Sequence, residues 1–249
     1  MSLYFNWVHF GLFRGIHMDR RQFTHVLGSS VGALLLAAHA HAQAVSLGNI
    51  TNAEASWGFQ AVIEKGALAA VGLLSKTDGF LGNDKVRIPL PRFLEDAAKL
   101  LKTLGQGKRV DELVTAMNRA AETAIPLAND LLVDALKSMS MTDAKKILAG
   151  GATSVTEFFA QKTRESLFIK FLPVVTESTE KVGLAEKYNR VAGQAVGVGL
   201  LKKEDANIQV YVTRKTLDGL YFMIGEEEKK IRQDPIGSGS AILKKIFAR

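Results

Sequence analysis

The chain has 249 residues, a formal net charge of +7, a hydrophobic fraction of 47% and no cysteine. Without cysteine it can form neither a disulfide framework nor a thiolate metal site, and a chain of this length can bury a core without such cross-links. Lysine and arginine are interspersed with acidic residues rather than clustered, so the charge pattern does not predict a nucleic-acid-binding surface.

Residues 18–42 have the pattern of an export signal. A start that contains Arg20 and Arg21 precedes a mostly apolar run over residues 26–38, and small residues at the cleavage position follow. Paired arginines are typical of twin-arginine export signals. The apolar run is too short for a permanent membrane span, and an ordinary buried helix is the alternative interpretation.

Three segments are therefore predicted. Residues 1–17 are an upstream mis-called start, residues 18–42 are a signal peptide cleaved after Ala42 or Ala44, and residues 43–249 are a single helical domain. We expect this mature chain to be soluble in the periplasm or secreted, with no permanent membrane span. All five histidines precede residue 43, so the mature chain contains neither His nor Cys.

Apolar residues recur at three-to-four spacing through nearly all of the mature chain, which predicts an all-α fold. We expect an irregular single-domain bundle of roughly eight helices. One segment, residues 76–91, is rich in Gly and Pro and predicts an extended ordered loop or an edge segment. The helical patterns cover residues 53–75, 92–104, 110–139, 142–148, 154–172, 174–182, 184–195, 208–233 and 241–247.

Several helix ends carry local signals. Thr51 or Asn52 can cap the first helix, and Ser154 with Glu157 three residues later matches a capping box. Pro173 should stop the helix that begins there, because proline lacks the N–H that a helix interior needs.

Local sequence signals are also present in the longest helical pattern and at the ends of the last long helix. Pro126 should kink or split the pattern at 110–139. Asn207 can cap the helix at 208–233. Its far end has Glu226–Lys230 and Glu228–Arg232 at i, i+4 spacing, which we interpret as a solvated helix end rather than a partner-binding patch.

The loss of His and Cys removes whole reaction classes from the mature chain. Serine or cysteine nucleophiles activated by imidazole, most zinc sites and histidine-ligated haem all need these side chains. The sequence also contains no phosphate-binding loop of the G-x-x-x-x-G-K-[ST] type. We therefore predict no cofactor and no metal.

Two short motifs are weak signals for chemistry. Ser178 and Lys181 match the S-x-x-K motif of penicillin-binding enzymes, but the supporting motifs of those enzymes are absent. Asp78, Asn83 and Asp84 offer oxygen ligands for calcium, although their spacing does not fit an EF-hand and turn chemistry explains them.

Two polar rows interrupt apolar helix faces, one in an alanine-rich stretch and one on the last long helix. Members of each row are about one helical turn apart, so they can share a face. Each row can line a polar pocket or make structural hydrogen bonds, and no catalytic residue is assigned. The candidate ligand-binding residues are Asn118, Arg119, Glu122, Tyr211, Lys215 and Asp218.

Five segments of the chain resemble the bacterial DUF4197 family, a domain of unknown function, and the likeness extends from about residue 47 to residue 249. The resemblance implies an exported helical protein, with no assigned activity and no agreed catalytic residues. The segments are 78–80 (DGF), 88–91 (IPLP), 117–122 (MNRAAE), 143–148 (DAKKIL) and 211–220 (YVTRKTLDGL).

Two functions of different classes stay open. The favoured one is a non-enzymatic periplasmic module that binds a partner protein or an apolar ligand between its helices, because helical domains commonly hold ligands there. The alternative is a carboxylate-based hydrolase acting on cell-envelope glycans. That activity would need two carboxyl groups facing one cleft, one of them with a raised pKa.

Overall fold

The structure is a computed structural model that describes residues 48–139, 142–197 and 207–248. The predicted mis-called start at 1–17 and the predicted signal peptide at 18–42 lie outside the described residues. Within the described ranges the chain forms helices joined by turns and no β-strand, so the all-α prediction is confirmed. The helices are α1 (Asn52–Leu74), α2 (Glu95–Thr103), α3 (Gly107–Ala124), α4 (Ala128–Lys137), α5 (Ala144–Leu148), α6 (Ser154–Lys181), α7 (Leu184–Gly197), α8 (Ile208–Gln233) and α9 (Ala241–Phe247).

The core is built around α8, which packs against α1 on one side and α6 on the other. Close approach of α1 and α8 depends on Gly66, because a Cβ atom there would lie only 2.8 Å from Cγ2 of Ile224. Helices α4, α5 and α9 pack on α1, while α2, α3 and α7 pack together beside α6. None of the described helices has both the length and the apolar character needed to cross a membrane.

The predicted caps at the ends of the long helices have different outcomes. Thr51 caps α1 in a full capping box, since its hydroxyl accepts from the Glu54 N–H and the Glu54 carboxylate accepts from the Thr51 N–H. Asn207 caps α8 by accepting from the N–H of Val210. The capping box at Ser154 is wrong, because Ser154 is already helical and its hydroxyl donates to the carbonyl of Ile147.

Of the two predictions about proline, one is confirmed and the other is wrong. Pro126 splits the longest pattern as expected, since α3 ends at Ala124 and a 3-10 turn at Ile125–Leu127 leads into α4. Pro173 does not stop a helix, because α6 continues through it to Lys181. Pro173 and Ile169, whose carbonyl loses its N–H partner, both lie on the exposed side, where water can replace the missing donor.

The segment between α1 and α2 is an ordered loop, as predicted. It begins with turns, in which Asp78 adopts a left-handed conformation with a φ of 66°. Phe80, Val86 and Ile88 are buried, so apolar side chains anchor the loop in the core at three points. The loop then runs extended to Pro91, which begins the 3-10 turn that leads into α2.

Candidate functional site

Asn118 joins this loop to α3. It is fully buried, and its Oδ1 accepts from the N–H of Ile88 at 2.8 Å. Its Nδ2 donates to the carbonyl of Ile88 at 2.9 Å and to that of Val114 at 2.8 Å. One side-chain amide therefore satisfies both backbone groups of Ile88, as a neighbouring strand would.

Glu122 holds the earlier part of the same loop. Its Oε1 accepts from the N–H groups of Phe80 and Leu81 at 3.0 and 3.1 Å. Its Oε2 accepts from Arg119 at 2.6 Å, and the second terminal nitrogen of Arg119 donates to Asp78 at 2.8 Å. The hydrogen bond to Glu122 is the main reason why the pKa of Arg119 is raised. The buried carboxylate is thus neutralised as well as hydrogen-bonded.

The residues of the second predicted row, Tyr211, Lys215 and Asp218, have partners in two different parts of the fold. The Tyr211 hydroxyl donates to the carbonyl of Pro89 at 3.0 Å, and burial raises the pKa of this phenol, with further contributions from Asp218 and Glu95. Asp218 instead pairs with Arg164 of α6 and, at 3.5 Å, with Lys215.

The structure therefore brings Asn118, Arg119, Glu122 and Tyr211 together on the loop, and leaves Lys215 and Asp218 beside α6. Each of the six has a partner within the protein, and their role as ligand-contacting residues stays a prediction.

The loop that these four residues hold forms one wall of an open groove of about 430 Å³. Helices α2 and α3 form the other walls. Apolar side chains from all three walls face the groove, with charged side chains among them. The lining residues are Arg87, Pro89, Leu90, Glu95, Ala98, Lys99, Lys102, Val110, Asp111 and Val114.

The sequence spacing explains why α2 and α3 can share this surface. On α2 the lining residues Glu95, Ala98 and Lys102 recur at three-to-four spacing, and so do Val110 and Val114 on α3. Gly105 adopts a left-handed conformation with a φ of 72° in the tight connection between the two helices. The turn places one face of each helix toward the extended part of the loop.

A second buried carboxylate, Glu228, was not predicted. It accepts from the N–H groups of Val155 and Thr156 in the first turn of α6, at 3.1 and 2.8 Å, and from the Thr156 hydroxyl. Arg232 donates to it twice and also reaches the carbonyl of Leu148. The prediction of a solvated helix end is therefore wrong for Glu228, which is fully buried.

The predicted pair Glu226–Lys230 is also replaced by i, i+3 pairs, since Glu226 bonds to Lys229 and Lys230 bonds to Glu227. A signal for the burial of Glu228 was present in the sequence. It falls on the same stripe as Leu217, Tyr221, Ile224 and Ile231, which the structure buries.

The two weak motifs do not assemble sites. Ser178 donates to the carbonyl of Val174 in its own helix, and Lys181 pairs with Glu177 at 2.8 Å. Asp78 is bonded to Arg119, and Asn83 accepts from the N–H of Lys85 within the turn. No group of three or more acidic or histidine side chains in the described part of the chain is placed to hold a metal ion.

A family model described as "Protein of unknown function (DUF4197)" matches residues 49–248. No curated protein and no solved structure gives a significant match.

Proposed function

This chain belongs to the DUF4197 family, and on that premise we propose that it is an exported, non-enzymatic binding module whose groove between the 87–90 segment, α2 and α3 takes an apolar ligand. The volume of about 430 Å³ is within the range of small-molecule sites. The single observation that carries the proposal is that this groove has apolar residues on all three walls.

The wall formed by the loop is fixed before any ligand arrives. Asn118 holds Ile88 through two hydrogen bonds of 2.8 and 2.9 Å, and Tyr211 holds Pro89. A preformed wall lowers the entropy that binding has to overcome. In the proposed function, Asn118 and Tyr211 are positioning residues for the groove.

Five carboxylates of the described chain are unsuited to the proton donation that glycan hydrolysis needs, which favours binding over hydrolysis. A glycoside hydrolase needs a carboxyl group whose pKa is raised so that it can donate a proton. Glu122 and Glu228 are already occupied by backbone N–H groups and arginine. Lysine hydrogen bonds lower the pKa of Glu54, Glu177 and Glu226.

Export is proposed from the sequence of residues 18–42, with its paired arginines and its apolar run. A protein without cysteine can fold in an oxidising compartment without forming wrong disulfides. The proposed location is the periplasm or the medium, where an apolar ligand would be poorly soluble and would gain from a carrier.

One experiment tests location and binding together. The untagged protein is purified from the periplasm of its own host and its mass is measured under denaturing and native conditions. We expect a chain that starts at Gln43 or Val45, and a native mass that exceeds it by a bound small molecule. An unprocessed chain found only in the cytoplasm contradicts export. A native mass equal to the chain mass contradicts binding.

A further inference from the structure

We propose that the ligand of this groove is a long-chain carboxylate, held with its acyl chain on the apolar walls and its head group beside Lys102 and Arg87. This inference rests on the proposed function and gives the chemical class of the ligand. It is drawn from the charges around the groove, whose cations are mostly left without acidic partners.

Two lysines on α2 show the contrast. Lys99 is bonded to Asp96 at 3.0 Å, and that bond raises the pKa of Lys99. Lys102, one turn further along and also lining the groove, has no ion-pair partner among the described residues, and neither has Arg87 on the opposite wall. Two walls therefore each present an unpaired cation to the same space.

More unpaired cations flank the groove. Arg92 lies in the turn before α2 and Arg109 lies in the first turn of α3, neither of them with an ion-pair partner in the described ranges. Among the lining residues the two unpaired acids, Glu95 and Asp111, balance Arg87 and Lys102, so the excess of positive charge comes from the flanking cations. An excess of unpaired positive charge attracts an anionic group and holds it more tightly where water is partly excluded.

The positions of the charged residues along α2 indicate which end of the groove takes the head group. Glu95 lies in the first turn of α2 and Lys102 in its last turn, so the two charges mark opposite ends of this wall. The Cγ of Lys102 is 3.3 Å from the position of a Cβ on Gly107, the first residue of α3. Glu95 therefore disfavours an anion at the start of α2, whereas Lys102 favours one near the α2–α3 turn, where Asp111 offsets part of its charge.

The apolar walls suit an acyl chain. Pro89, Leu90, Ala98, Val110 and Val114 line the space between the two ends. Each methylene moved from water onto such a surface adds to the free energy of binding, so even a half-covered chain of about twelve carbons gives measurable affinity. The carboxylate adds orientation and specificity.

The test compares dodecanoate with 1-dodecanol, which has the same chain and no charge. Affinities for the mature protein are measured by displacement of Nile red, a neutral dye, at low and high salt. We expect dodecanoate to bind about tenfold or more tightly than the alcohol, with a preference that falls as salt rises. Combined Arg87→Gln and Lys102→Gln substitutions should abolish the preference, whereas Lys137→Gln, an exposed lysine on α4 outside the groove, should leave it unchanged.

The second variant removes a negative charge from the groove instead of the positive charges. Replacing Asp111 by Asn removes a negative charge from the groove wall and should tighten dodecanoate without changing 1-dodecanol. Equal binding of acid and alcohol overturns the carboxylate assignment and leaves the apolar groove intact. A preference that survives in the Arg87/Lys102 variant also overturns it. If neither compound displaces the dye or binds directly, the proposed function fails as well.

Discussion

Glu122 and Glu228 perform the same structural task at two places in the fold. Each accepts hydrogen bonds from two consecutive backbone N–H groups of another segment, and each is paired with an arginine three or four residues along its own helix. A buried carboxylate is costly unless it is both hydrogen-bonded and neutralised. Both conditions are met here, so the two residues lock the loop to α3 and the start of α6 to α8.

Removing either carboxylate should strongly destabilise the protein. Glu228→Ala leaves Arg232 and two backbone donors without their acceptor, and we expect a loss of about 3–5 kcal/mol in the free energy of unfolding. Glu122→Ala should fall in the same range. Glu227→Ala is the matched control, because its pair with the exposed Lys230 is worth no more than about 1 kcal/mol. Urea denaturation measures all three, and equal losses for Glu227 and Glu228 would contradict the assignment.

At the residue scale, sequence reasoning identified the polar side chains on α3, but it identified neither the loop that they bind nor Glu228. Asn118, Arg119 and Glu122 were noticeable because they interrupt an alanine-rich stretch. Their partners were not predictable, since the loop they bind lies 30 to 42 residues earlier in the chain. Glu228 was missed because an i, i+4 pair with arginine has the same spacing whether it is exposed or buried.

At the scale of elements, helical periodicity predicted nearly all of the helices, because burial of one face per helix places apolar residues at three-to-four spacing in the sequence. Helix ends were less predictable where a tertiary contact replaced the local cap. The first turn of α6 is capped by Glu228, which is more than 70 residues away, and not by Ser154. Pro173 was misjudged because a helix tolerates proline where the lost bond faces water.

The contact between α9 and α1 gives a test at this scale. Glu54 accepts a hydrogen bond from Lys245 of α9 and also closes the capping box of α1. The Lys245 bond, followed by the bonds from Thr51, lowers the pKa of Glu54 from 4.5 to about 2. Because the folded pKa is lowered, this stabilisation is present above about pH 4.5 and is lost as the pH falls toward 2.

Glu54→Gln keeps the capping geometry and removes the charge. We expect it to lower the Tm at pH 7, and the difference from the unsubstituted protein should shrink steadily between pH 4.5 and pH 2. Glu64→Gln, at an exposed position on the same helix with no ion pair among the described residues, should show no such trend. A Tm difference for Glu54→Gln that stays constant down to pH 2 would argue against the Lys245 contact.

At the scale of the whole molecule, the helices that hold the core together are different from those that line the proposed binding groove. The described part of the chain is held by α1, α6 and α8, while α2, α3 and the loop lie together and form the groove. The sequence indicated an apolar site between helices but not its place. Its three walls come from residues 87–90, 95–102 and 110–114, and the turn geometry that joins them is a property of the tertiary structure.

Filling the groove is the most direct test of it as a binding site. Val114 is half-buried and lines the groove, so Val114→Trp should occupy the space that a ligand would use, while Leu90→Ser removes apolar surface from the opposite wall. Ala185→Trp, at an exposed position on α7 outside the groove, is the matched control.

Each protein is titrated with Nile red after its Tm has shown that it is folded. The unsubstituted protein and Ala185→Trp should bind with the same affinity, and both groove variants should bind at least about tenfold more weakly. Equal affinity for all four proteins would contradict the groove as the ligand site.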